Sequence, residues 1–145
     1  MAIAQFTPPD PAPDPMHGLI LFAHGARDPR WADPLERLRE RLNRAAPRTP
    51  VAVAFLDIME PDLPTAAERL VAAGCEALSI VPIFLGQGGH VRRDLAALIE
   101  VLLARHPGMQ IQVAPAVGED NGVLDALAVC CLAALSQPGG VPAKP

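Results

Sequence analysis

The sequence predicts an α/β domain: a three-layer sandwich in which a four-stranded parallel sheet lies between helices, in the order βαβαβαβα. Three observations carry that expectation. Four short, continuous apolar runs alternate with four helix-period segments, and the loops between them are short. Strands joined by such helical crossovers pair in parallel with right-handed connections. A chain of 145 residues also fits one domain, since domains commonly run about 100 to 150 residues.

The first run, "GLILFAH" (18–24), is apolar throughout, as a strand covered on both faces would be. "DPRWADPLERLRERLNRAAP" follows, with Trp31, Leu35, Leu38 and Leu42 on one stripe and charged residues opposite. Asp28 suits the N-cap of that helix and Pro29 its first turn. "VAVAFL" (51–56) is the second strand. In "DLPTAAERLVAAG", Leu63, Ala67, Leu70 and Val71 point inward and Gly74 stops the helix. "ALSIVPIFL" (77–85) is the third strand, ending or bending near Pro82. The next helix, "HVRRDLAALIEVLLARHPG", aligns Val91, Leu95, Leu98 and Leu102 and stops at Pro107-Gly108. "IQVAPA" (111–116) is the fourth strand and "DNGVLDALAVCCLAAL" (120–135) the last helix.

Residues 1–16, with five prolines, and residues 137–145 read as disordered tails around a single domain at 17–136. The first segment lacks the basic start of a signal peptide, and no apolar run approaches the roughly 18 residues of a membrane helix. A net charge of −4 argues against general affinity for nucleic acid or anionic membranes. With only 3 % aromatic residues, an RNA-binding sheet that stacks bases is not expected. Cys75, Cys130 and Cys131 form neither a CxxC pair nor an even framework, which fits a reduced cytoplasmic interior with all three thiols as small apolar fillers.

Open parallel sheets bind ligands beyond the carboxyl ends of their strands. Those ends read His24-Gly25-Ala26-Arg27-Asp28, then Asp57-Ile58-Met59-Glu60-Pro61, then Gly86-Gln87-Gly88-Gly89-His90 followed by Val91-Arg92-Arg93-Asp94, and last Gly118-Glu119-Asp120. Taken alone, His24 is a locally satisfied structural histidine, a phosphate-accepting nucleophile or a metal ligand. His90 at an equivalent strand end shifts the balance toward function, because imidazole with carboxylate suits a borderline divalent metal and either group can accept a proton. His17, at the opposite edge, reads as a solvated surface residue. His106, in the last turn of a helix, reads as structural. "GQGG" is neither GxGxxG nor a P-loop, and serves better as a wall without side chains beside His90. At least one of Arg92 and Arg93 reads as ordinary helix surface. No GxSxG occurs and no cysteine adjoins a histidine, so acyl transfer has little support.

Three segments in order, "LILFAHGARDP", "VAFLDIMEPDLP" and "GCEALSIVPIFLGQGGHVRRDL", resemble the small CbiX/SirB-type sirohydrochlorin chelatases over roughly residues 18 to 118. The resemblance implies a chelatase-like fold and a lyase that inserts a divalent metal into a tetrapyrrole for cobalamin or siroheme biosynthesis. Cobalt is favoured, with iron or nickel as alternatives, and the metal is a substrate rather than a permanently bound cofactor. It also implies that single-domain members form homodimers around the macrocycle. By position, His24 is the proton acceptor and a metal ligand and His90 a second ligand; Leu85 to Gly89 lie against the ring, and Glu60 contacts it. Two departures stand out. Asp57 replaces a metal-site Glu found in some members, shortening its reach by one methylene, and "HGAR" replaces "HGSR", removing a hydroxyl.

The resulting expectation is that His24 and His90 hold the ion on one side of the ring, with His24 taking a pyrrole proton. Asp57 or Glu60 orients an imidazole or receives that proton. Arg27, Arg92 or Arg93 pairs with ring carboxylates. Two rivals remain. A histidine phosphatase or phosphomutase would normally carry an arginine directly before the histidine, where this chain has Ala23. A non-catalytic metal or tetrapyrrole carrier would bind stoichiometrically without turnover.

Overall fold

The computed structural model describes residues 16–136. Apart from Met16, the two expected tails lie outside the described residues. Met16 is tied down: its carbonyl accepts from the backbone N–H of Glu76 at 2.9 Å.

Four parallel strands, β1 (His17–Ala23), β2 (Val51–Phe55), β3 (Ala77–Pro82) and β4 (Gln110–Val113), form one sheet in the order β2-β1-β3-β4. The helices are α1 (Asp33–Ala45), α2 (Leu63–Ala72), α3 (Gly89–Arg105) and α4 (Asn121–Ala133). β1 is thus interior, with Ile20 opposite Ala52 on one side and Ile80 on the other. Its alternate residues feed two cores. Ile20 and Phe22 pack with Ala66, Ala67 and Leu70 of α2 and Leu95 and Leu102 of α3, whereas Leu21 and Ala23 pack with Leu35 of α1. A continuous apolar run, not an alternating one, is what a strand buried on both faces requires.

Two helices start at aspartate caps that sequence reasoning had not singled out. Asp62 accepts from the Thr65 N–H at 2.9 Å and Asp120 from the Val123 N–H at 3.0 Å, each satisfying a donor the helix leaves free. The Thr65 side chain first, and its backbone N–H second, hold the Asp62 carboxyl below its ordinary pKa, since hydrogen bonds to the ionised form favour it. Gly74, at φ +102°, closes the turn after α2.

The structure corrects several expectations. The first helical segment is split: Asp28 caps a single 3-10 turn, Pro29–Ala32, and the α-helix proper starts at Asp33. Pro34 explains the break, because its ring would clash with the carbonyl four residues earlier if the α-helix ran through it. The split takes Trp31 off the buried stripe, leaving it 54 % exposed. β3 stops at Pro82, where the sequence suggested an end or bend, while β4 stops at Val113, short of the expected residue 116; Pro82 and Pro115 have no N–H to give the ladder. Cys75 is buried as expected and burial pushes its thiol pKa up, but Cys130 and Cys131 are exposed. Their helix, α4, contains no buried residue at all. His106 follows α3 as its C-cap, and its Nε2 is buried without a hydrogen-bond partner. His17 lies within β1, still exposed, its Nε2 2.7 Å from Ser79 Oγ. Among the described residues, no helix is long and apolar enough to cross a membrane.

Candidate functional site

His24 is the first residue beyond β1, one of the two strands with a neighbour on each side. Its imidazole lies against the Phe84 ring, centroids 4.7 Å apart and planes tilted by 53°. Phe84 is in turn set edge-on to buried Phe22, at 5.9 Å and 78°. The Trp31 indole N–H donates to the His24 carbonyl at 2.9 Å. His24 is therefore held from both ends, by an aromatic at the ring and a donor at the backbone, while remaining solvent-accessible. A cavity of about 230 Å³ opens beside it, lined by Ala23, His24, Trp31, Pro34, Leu35 and Ile83.

On the β2 side, the loop after Phe55 is fastened to β1. The Leu56 N–H donates to the Ala23 carbonyl at 2.8 Å, and the Gly25 N–H donates to Asp57 Oδ1 at 3.1 Å. A Cβ at residue 25 would collide with the Asp57 carbonyl oxygen, so only glycine permits this approach. The Met59 N–H turns back to that same carbonyl at 2.6 Å, and the loop closes where the Phe55 N–H meets the Pro61 carbonyl at 2.9 Å. Between these fastenings Ile58 adopts φ +65° with 68 % of its surface exposed. A β-branched residue in the left-handed region is strained by about 1–3 kcal/mol. Glu60 is exposed on the same loop.

On the β3 side, the Gly118 N–H donates to the Phe84 carbonyl at 2.9 Å, and a Cβ on Gly118 would strike the Leu85 carbonyl. Leu85 itself is 69 % exposed. Gly86 and Gly88 face open space: a Cβ there would meet nothing within 4 Å, so the empty wall is not imposed by crowding within the chain. Gly89 opens α3 and His90 stands exposed in its first turn. Arg93 folds back over that turn. Its Nε donates to the Gly89 carbonyl at 3.2 Å and its Nη2 lies 3.4 Å from His90 Nδ1. A guanidinium only donates, so His90 Nδ1 is the acceptor side of this contact. Coordination through Nδ1 therefore requires the Arg93 contact to give way. Arg92 reaches Glu119 at 3.4 Å, linking this turn to the loop after β4.

The sheet order thus brings His24, Asp57, Glu60, His90 and the 85–89 loop to one carboxyl edge, with His24 between the other two loops. Arg27 is exposed beside them, after the Gly25 turn, and Asp28 spends its carboxylate on Arg30, whose hydrogen bonds lower its pKa. The edge does not close into a preformed cage: among the described residues, no three His, Cys, Asp or Glu side chains converge to hold an ion. Sequence reasoning passed over Trp31 and Phe84 as apolar filling. An indole one turn beyond the strand end was the available signal for the first; nothing marked Phe84 within its apolar run.

A sequence profile described as CbiX matches residues 18–129. The sirohydrochlorin cobaltochelatase of Sulfolobus acidocaldarius is 30 % identical over 124 residues, covering 86 % of this chain and 97 % of that protein. The one from Methanocaldococcus jannaschii is 29 % identical over 91 residues, 63 % of this chain and 64 % of that one. Among solved structures, a putative cobalamin biosynthesis CbiX protein from Marinobacter aquaeolei superposes with a TM-score of 0.74 at 34 % identity, over 84 % of this chain and 99 % of that one. The sirohydrochlorin chelatase SirB from Bacillus subtilis, solved in complex with cobalt, shares the fold with a TM-score of 0.70 at 23 % identity. That match takes in 81 % of this chain and 50 % of SirB.

Proposed function

Because the chain belongs to the CbiX family, we propose that it is a sirohydrochlorin chelatase, a lyase that inserts a divalent metal into the tetrapyrrole in cobalamin or siroheme biosynthesis. The observation that carries this reading is the placement of His24 at the carboxyl end of interior strand β1, flanked by the Asp57–Glu60 and Leu85–His90 loops. Cobalt is the favoured metal, because the Sulfolobus relative is named a cobaltochelatase and SirB was solved with cobalt. Iron and nickel remain alternative substrates, since imidazole and carboxylate accept all three.

Insertion has to strip water from the ion and remove two pyrrole protons. His24, steadied by Phe84 and Trp31, has one free lone pair: it holds the ion first and takes one pyrrole proton once the metal has passed to the ring, leaving the second proton to Asp57 or Glu60. His90 supplies a second ligand once Arg93 yields, and a ring carboxylate is the natural anion to draw that guanidinium away. With one oxygen on the Gly25 N–H, Asp57 orients the histidine loop and keeps its other oxygen for the metal or the displaced proton. Glu60, Arg27 and the loop from Leu85 through Gly86, Gln87 and Gly88 to Gly89 contact the macrocycle.

The working unit is a homodimer closing around the ring, a reading supported by the apolar face that α4 leaves uncovered and by the extent of SirB, of which one such chain spans half. The site of action is the cytoplasm, consistent with thiols that form no disulfide among the described residues. The metal is read as a substrate rather than a resident cofactor, and the net charge of −4 gives no general attraction to nucleic acid or anionic membranes.

Sirohydrochlorin offered Co²⁺, Ni²⁺ and Fe²⁺ in turn, with and without protein, tests the reading by absorbance. Catalysed insertion, fastest with cobalt and abolished in a folded His24→Ala variant, is the expected result. Stoichiometric binding without turnover would assign a carrier role instead, and undiminished turnover in His24→Ala would remove His24 from the mechanism.

A further inference from the structure

Ile58 and Leu85 are the two most exposed large apolar residues of the loops flanking His24, one on the β2 side and one on the β3 side. A single exposed aliphatic residue is ordinary. Ile58 is not, because exposure coincides with a left-handed backbone at φ +65°, where a β-branched side chain is among the least suited. Asparagine or glycine would relieve the backbone and hide nothing less. The conformation is imposed from both sides, by the Gly25 N–H on Asp57 Oδ1 and the Met59 N–H on the Asp57 carbonyl. Strain retained at a fastened loop, with the side chain held in solvent next to the candidate ligands, is the pattern of a binding contact rather than of folding. The loop opposite adds an exposed leucine, anchored by Gly118 beneath its carbonyl.

We propose that Ile58 is a ring-seating residue: its side chain is held out at the sheet's carboxyl edge to pack on the apolar face of the bound tetrapyrrole, with Leu85 as its counterpart across His24. This assignment rests on the chelatase reading and adds to it a residue that sets affinity for the ring without touching the metal. A flat, conjugated macrocycle offers apolar area to such side chains, while its carboxylates seek the arginines.

Metal-free sirohydrochlorin is the probe, titrated by absorbance or fluorescence into the full chain and into Ile58→Asn and Ile58→Leu, with thermal midpoints recorded for each. Asparagine tolerates the left-handed region, so Ile58→Asn should keep or raise the midpoint while the Kd for the ring rises roughly tenfold, the scale of one lost aliphatic contact. Ile58→Leu should retain ring affinity within about threefold, and Leu85→Asn should weaken the ring as Ile58→Asn does. Binding by Ile58→Asn at wild-type strength overturns the proposal, as does a Leu variant as weak as the Asn variant. A wild-type chain that neither binds nor metallates sirohydrochlorin would instead fail the chelatase reading itself.

Discussion

The backbone N–H of Gly25 donates to Asp57 Oδ1, and this bond joins the loop that follows the first strand to the loop that follows the second. The join leaves no room for a side chain at residue 25. Gly25→Ala should therefore force the two loops apart and destabilise the protein by about 1–3 kcal/mol, the range for inserting an atom into a filled space. Chemical denaturation measures that loss, and metal insertion should fall with it because His24 is the neighbouring residue.

Asp57→Asn separates two contributions of the same side chain. An amide oxygen can still accept from Gly25, so the unfolding free energy should change by less than about 1 kcal/mol. The negative charge is gone, and metal insertion should drop by about 10–100-fold, the effect of losing a group that supports metal ligands. Equal rates in Asn and wild type would restrict Asp57 to holding the loop.

The uncovered apolar residues of α4 supply a test of the dimer. Leu127, Val129 and Leu132 are exposed, and a groove of about 800 Å³ runs between this helix and residues that include Val81, Ala114 and Val117. A Leu127→Glu, Leu132→Glu double variant should fold with little change in thermal midpoint as a monomer, since neither residue is buried within the chain. Sedimentation or light scattering should show the wild type at twice that mass, and ring binding should weaken in the monomer.

Asp62 predicts an acid-sensitive step in stability. Its carboxyl, bonded to Thr65 at the start of α2, has a lowered pKa in the folded chain. A depressed native pKa gives stability that is fully present above the ordinary carboxylate value, near pH 4, and is lost as pH falls through the lower native one. Asp62→Ala should cost about 1 kcal/mol at neutral pH, whereas Asp62→Asn should keep the cap and flatten the decline below pH 4. Urea titrations from pH 7 to pH 2 read both effects.

Much of the fold was legible because strand β1 and helix α2 each have one solution. An unbroken apolar run bounded by His17 and His24 must be covered on both faces, and Asp62 to Gly74 carries both a start and a stop. The histidine edge followed from strand order alone, because parallel crossovers send every strand's carboxyl end to the same side. What stayed hidden depended on contacts far apart in sequence. Periodicity placed Trp31 on a buried stripe, yet Pro34 reset the helix and turned the indole toward the His24 carbonyl. "VLDALAVCCLA" is apolar nearly all round, so its pattern could not say whether α4 has a surface in its own chain to bury against. Ile58 carries no left-handed signal in its residue type; the fastenings on either side impose the conformation.

The packing of Phe84 against His24 also has a consequence for synthesis. His24 leaves the ribosome with the first strand, but the ring that steadies it belongs to the third, much later in the chain. Contacts so distant in sequence form late, because the intervening loop has to close first. A nascent or prematurely ended chain that stops before Phe84 would present His24 as a free, rotating imidazole, unable to imitate the finished edge. The aromatic contact thus acts as a completion mark, joining the candidate ligand's fixed geometry to the arrival of the third strand.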